Sequence, residues 1–265
     1  MNLARRLAAA VPPVVTVAIL IAGWQLVVRV AQLPARLLPA PSAVLVRLEA
    51  GILGGDMLGE IAHSTVAVIA GYALACLTAL VAALTFAESR RAERLLYPLV
   101  AAFQAIPKVA LAPLVILWAG FGLRSEIILI AMIAFFPIFA NAFIGLSSVN
   151  RELSDLFRVY DGGRLFRIVH LSLPSAAGQI FAGMQISVGL ALVGCVVVEF
   201  LVGTDGVGFL IQNSANSLDT ATAVAAMVTL GVMGSIAGLM LRGVRRSLVF
   251  WDRADDARTG AGAAA

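Results

Sequence analysis

Few residues in this 265-residue chain could do chemistry, and their settings narrow what that chemistry could be. Lys108 is the sole lysine and follows Pro107, not the glycine of a G-x-x-x-x-G-K-[ST] loop, so nucleotide phosphates are not cradled that way. His63 and His170 are the only histidines and cannot build a histidine-rich metal site. Ser147, Ser148, Ser172 and Ser175 have no base and orienting group at hydrolase spacing. Cys76 and Cys195 lie inside apolar segments and read as small buried side chains, not as a disulfide framework or metal cluster. Gly203, Gly206 and Gly208 make a G-x-x-G-x-G, but they follow an apolar run and not a strand, which discounts a dinucleotide loop. No catalytic residue and no metal ligand is expected. If the chain does work, the energy comes from elsewhere.

Two charges stand out because they sit inside apolar runs. A lone charge at mid-membrane depth costs ~2.5–3.5 kcal/mol on insertion scales, so Lys108 should face a cavity, a partner or a seam between copies. It could attract an anionic or polar solute, or bond backbone carbonyls freed by Pro107 and Pro113. Glu199, near the end of a later run, reads as a structural or gating residue ahead of a solute contact. The glycines after it allow an irregular backbone that dips back toward a cavity, with Phe209, Gln212 and Asn213 as lining candidates.

The elements that must position these residues are membrane helices. The chain is 61% hydrophobic and 13% charged, against about 25% charged in a soluble domain. Its net charge of +4 does not point to nucleic acid, because the arginines gather at the ends of apolar runs. Six stretches approach the ~20 residues needed to cross ~30 Å of hydrocarbon. They are Val11–Val30, Ile61–Phe86, Leu95–Ala119, Ile127–Leu146, Ala176–Val202 and Ala221–Leu241. Arg5 and Arg6 precede the first, which reads as a retained anchor and not a cleaved signal. Most other arginines fall at 90–94, 151–167 and 242–258, whereas only Arg29, Arg36, Arg47 and Arg124 lie in the alternate loops. Both termini are therefore assigned to the cytoplasm. The expectation is an all-α protein with one membrane domain over 1–253 and a disordered tail over 254–265. A short external helix is expected within Leu37–Gly51.

The segment 148–174, SVNRELSDLFRVYDGGRLFRIVHLSLP, is a polar island between two such runs. Leu153, Leu156, Phe157 and Tyr160 recur at i, i+3, i+4 and i+7 and give one apolar face, with Glu152, Asp155 and Arg158 mainly on the others. Gly162 and Gly163 break this helix, Arg164–Leu171 resumes it, and Leu173–Pro174 admits the next span. Such a helix suits a groove on a cytoplasmic partner, or alternatively the lipid headgroups.

This island resembles the signature loop of bacterial ABC-importer permeases, which is written with EAA, a following glycine and a closing LP. Aligned back from Leu173–Pro174, Asp155 falls on the family glutamate and Asp161 on the family glycine, with Gly162 and Gly163 beside it. LLPAPSAVL (37–45), HSTVAVIAGYALA (63–75), PKVALAPLVILWAGFG (107–122) and VVVEFLVGTDGVGFLI (196–211) resemble, in order, permeases of the nitrate/sulfonate/taurine type. The resemblance runs from Leu37 to Trp251. PSAAGQIFAGMQI looks like the pyrimidine-precursor and riboflavin branch, although Gly178 stands where the family usually has proline.

The resemblance implies a type I importer permease, acting as a homodimer in the bacterial inner membrane. It implies an external solute-binding protein and a separate cytoplasmic ABC ATPase that holds the ATP and magnesium, so this chain binds no cofactor. The coupling residues would be Arg151, Asp155, Leu156, Phe157, Arg158, Tyr160, Asp161, Gly162, Gly163, Leu173 and Pro174. Implied solutes are sulfonates, taurine, nitrate or a pyrimidine or vitamin precursor. Two other classes stay open. An ion-coupled secondary transporter would normally carry more intramembrane ionisable groups than Lys108 and Glu199. A non-transporting scaffold would need no docking loop.

Overall fold

A computed structural model describes residues 3–149, 153, 156–157, 163–249 and 251. Among these, every regular element is a helix, as the apolar runs require where no water can satisfy an open backbone. The order is α1 (Leu3–Val30), α2 (Pro41–Leu53), α3 (Asp56–Glu88), α4 (Arg90–Ala105), a 3₁₀ turn (Lys108–Leu111), α5 (Ala112–Ala119) and α6 (Leu123–Ser147). After the island come α7 (Arg164–Arg167), a π turn (Ile168–Ser172), α8 (Leu173–Val202), α9 (Val207–Asn216) and α10 (Thr220–Leu248). Four helical stretches among the described residues are long and apolar enough to cross a membrane: α3, α6, the continuous helix from Arg164, and α10.

Three expectations change. The third span is not one helix. It breaks at Ile106–Pro107, because proline removes an N–H and clashes with the preceding turn, and it resumes through the 3₁₀ turn into α5. Leu173–Pro174 does not separate loop from span, since the helix runs unbroken from α7 through the π turn into α8. The external helix starts at Pro41 and not at Leu37, with proline at its first turn, where a missing N–H costs nothing. The tail after Trp251 lies outside the described residues.

The core is where α3, α6 and α8 cross. Ala67, Ala75, Ala79 and Ala83 of α3 meet Ile130, Ala134, Ile138 and Ala142 of α6, and Ala176, Ala191 and Cys195 close it from α8. Small residues set the spacing here, because between helices in lipid close packing and polar bonds replace the hydrophobic drive. A Cβ on Gly183 would stand 2.7 Å from the carbonyl oxygen of Pro137 and 2.8 Å from Asn141 Cβ, so α8 touches the α6 backbone. Ser187 ties the same pair by donating to the Ala134 carbonyl at 2.9 Å. Near the end of this core Phe135, Phe139 and Phe143 stack along α6, and Phe86 of α3 meets Phe139 edge-on at 5.2 Å.

A second apolar cluster joins the opposite ends. Val44 of α2, Met57 of α3, Val207 and Ile211 of α9, and Ala225 and Ala226 of α10 pack together. Arg47 Nε reaches from α2 to the Thr222 hydroxyl at 2.7 Å. Asp219 caps α10 by accepting from the Thr222 N–H and hydroxyl. The Thr222 hydroxyl, with the Thr222 N–H and the Arg47 charge, holds the Asp219 carboxyl below the usual carboxylate range.

Gly183→Val should therefore separate α6 from α8 and abolish a monodisperse peak in detergent. Gly59→Ala, whose added Cβ meets nothing within 4 Å, should elute as the parent does. Equal elution of the two variants would refute backbone contact at Gly183.

Candidate functional site

Two polar arrangements stand at opposite ends of α3, whose 33 residues span roughly 50 Å. One gathers around Glu199, the other around Glu88.

At the Glu199 end, the chain leaves α8 through the Gly203–Gly206 link and starts α9 inside protein. Gly206 has φ of 105°, a conformation that glycine adopts without strain. The first N–H groups of a helix have no partner within it. Here three consecutive ones are met by side chains. Gly206 N donates to Glu60 Oε2, Val207 N donates to the Ser64 hydroxyl at 2.8 Å, and Gly208 N donates to Glu199 Oε2 at 2.6 Å. Ser64 in turn donates to Glu199 Oε1 at 2.6 Å, and the Cys195 thiol donates to the same oxygen at 3.0 Å. The negative carboxylate faces the positive end of α9. Glycine is needed twice, since a Cβ on Gly206 would overlap the Glu199 carboxyl and one on Gly208 would stand 2.7 Å from Oε2.

Glu199 is thus fully buried with both oxygens occupied by protein, and it offers no free edge to a solute. Beside it His63 Nε2 bonds Glu126 Oε2 at 2.8 Å, while Glu126 Oε1 is buried without a hydrogen-bond partner. Phe209 and Gln212 are half-buried on α9, and Asn213, one turn after Phe209, is exposed. Lys108 does not join this group. Its Nζ donates to the carbonyl and side-chain oxygens of Gln104 at 2.8 and 3.1 Å, closing the end of α4.

Sequence reasoning singled out Glu199 and the glycines but missed Glu60, Ser64 and Glu126. The available signal was the E-x-x-H-S run at the start of α3, with polar groups spaced one helical turn apart. It also missed a groove of about 500 Å³ between α8 and α10, where Gln185, Ser235 and Arg242 line a path floored by Gly231 and Gly234.

At the other end, Glu88 closes α3 and accepts from Arg167 Nη2 at 2.6 Å and Arg164 Nε at 3.2 Å. The neighbouring surface is apolar: Leu153, Leu156, Leu165 and Phe166 are all exposed. Phe157 packs on Phe166 with centroids 6.1 Å apart, and Phe166 stacks on His170 at 4.2 Å. Of the predicted coupling residues, Leu156, Phe157, Gly163, Leu173 and Pro174 are placed, with Leu173 and Pro174 half-buried at the start of α8. Arg151, Asp155, Arg158, Tyr160, Asp161 and Gly162 lie outside the described residues. The arginines of α7 and of the last turns of α10 gather at this end, which marks it as cytoplasmic.

The fold is that of a multi-pass helical membrane protein, with a short internal helix at one face and an arginine-bearing apolar ledge at the other. The chain belongs to the family described as binding-protein-dependent transport system inner membrane component, which matches residues 71–250. It is 31% identical to a putative aliphatic sulfonates transport permease of Bacillus subtilis (strain 168), over 88% of this chain and 85% of that one. It is 34% identical to a riboflavin transport system permease of Chloroflexus aurantiacus, over 90% and 89%. A taurine transport system permease of Escherichia coli (strain K12) is 25% identical over 89% and 88%. The chain is accordingly a type I ABC importer permease of the bacterial inner membrane.

Removing the Glu199 carboxylate strands the Gly208 N–H and the Ser64 hydroxyl, at about 1–3 kcal/mol each. Glu199→Ala should lower the melting temperature of the purified protein clearly, and Glu199→Gln, which keeps an acceptor for Gly208, should lower it less. The reverse order would show that the cap is not what holds α9.

Proposed function

We propose that this chain forms, as a pair of copies, the membrane pathway of an importer driven by ATP hydrolysed on a separate cytoplasmic ATPase. An external solute-binding protein delivers the solute. The observation that carries this reading is the apolar ledge of Leu153, Leu156, Leu165 and Phe166, exposed at the arginine-rich end, together with the helix that runs from Arg164 without a break into α8. Exposed apolar groups flanked by arginines, attached to a rigid rod, suit seating in a cleft of a protein partner. Closure of two ATPases would displace the ledge and tilt the rods between inward-facing and outward-facing states.

The translocated solute is small and polar or anionic: a sulfonate, taurine, nitrate, or a pyrimidine or vitamin precursor. Relatives named for sulfonates, taurine and riboflavin support that breadth. The groove lined by Gln185, Ser235 and Arg242 supplies hydrogen bonds and a positive charge to such a solute. Phe209, Gln212 and Asn213 would border the external mouth, where the capped start of α9 holds the gate. Lys108 and Glu199 then support the pathway without touching the cargo.

The test is the paired change Leu156→Asp with Phe157→Asp in proteoliposomes carrying the permease, its ATPase and its binding protein. Taurine, an alkanesulfonate, nitrate and riboflavin serve as labelled probes. ATP-dependent uptake should fall at least tenfold while the protein still purifies as a folded dimer. Uptake at the parent rate, or uptake in liposomes without the ATPase, would remove the basis for this reading.

A further inference from the structure

We infer that Glu88 is a positioning residue for coupling: it fastens the ledge to α3, so that α3 and the helix 164–202 move as one body and carry the start of α9 with them. This rests on the importer reading above.

The two rods are tied at three levels. At the cytoplasmic end Glu88 accepts from Arg167 and Arg164. Midway, the Tyr72 hydroxyl of α3 donates to the Met184 carbonyl of α8 at 2.8 Å. At the outer end Ser64 of α3 donates to Glu199 of α8, and the two together hold the first N–H groups of α9. Glu60 and Glu88 lie roughly 40 Å apart along one helix, so a shift applied at one end is delivered at the other.

The position of the inner tie matters. Between the two arginines and α8 lies the π turn Ile168–Ser172, where the backbone is wider than in the α-helix on either side. A push entering at the ledge could be absorbed there as rotation. The Glu88 bonds bypass it, because they take the load from α7 directly into α3. An exposed ion pair would contribute little. Here the Glu88 and Arg167 side chains are only 14% and 16% exposed, and one carboxylate oxygen serves two guanidinium groups at i and i+3.

The experiment uses the assembled transporter in nanodiscs. A nitroxide is placed at Asn213→Cys in a Cys76→Ala, Cys195→Ser background, and the distance between the labels of the two copies is read before and after ATP with vanadate. In the parent the distance should change. Glu88→Gln and Arg167→Gln should hydrolyse ATP as the parent does but lose the distance change, and Glu88→Arg combined with Arg167→Glu should regain it. Should Glu88→Gln fail to fold, Arg167→Gln carries the test alone. A full distance change in the single variants overturns the inference and leaves the importer reading intact. Loss that the charge swap does not restore also overturns it, as does loss of hydrolysis in the single variants. A parent whose distance ignores ATP with vanadate overturns the importer reading itself.

Discussion

A helix that starts inside an apolar bundle must satisfy its first N–H groups from side chains, because no water is at hand to do so. That requirement governs the outer half of this protein. Glu60, Ser64 and Glu199 come from two different rods and meet the N–H groups of Gly206, Val207 and Gly208 in succession. The carboxylate fills a place where the dipole of α9 favours negative charge. Ser64 and Glu199 also bond each other across α3 and α8, so the polar bonds that permit a short internal helix also help hold the rods in register.

The rods themselves are held by shape. Alanines of α3 and glycines of α8 bring backbones close enough for Ser187 and Tyr72 to reach carbonyls on neighbouring helices. Stacked phenylalanines fill the wider end. By contrast α10 buries little of its length and leaves Val232, Ile236, Leu239 and Met240 outward. An apolar face of that extent belongs against lipid or another protein.

Division of labour follows from what the chain lacks as much as from what it has. Its sequence has no phosphate-binding loop with lysine, and Lys108 is used to close a helix end. Among the described residues, the polar groups of the core bind backbone, bind each other, or line a groove. Relatives named for solutes as different as a sulfonate and riboflavin share most of this length, as expected when the shared part is mechanical.

Hydropathy and arginine placement were enough to establish that the chain is a helical membrane protein, which side faces the cytoplasm, and where the polar island lies. Those are properties of composition along one dimension, set by the cost of apolar groups in water and of charge in lipid. Glu199 could be marked as unusual for the same reason. Its partners could not be known, because Ser64 is 135 residues away and only the crossing of α3 with α8 brings the two to 2.6 Å. Pro107 carried a signal for the break in the third span although 95–119 reads as one apolar run, whereas the passage of the helix through Leu173–Pro174 had no such signal. A proline tolerated at a helix start looks the same in sequence whether a loop or a π turn precedes it, and the bonds from Arg164 and Arg167 to Glu88 that accompany the π turn join residues far apart in the chain.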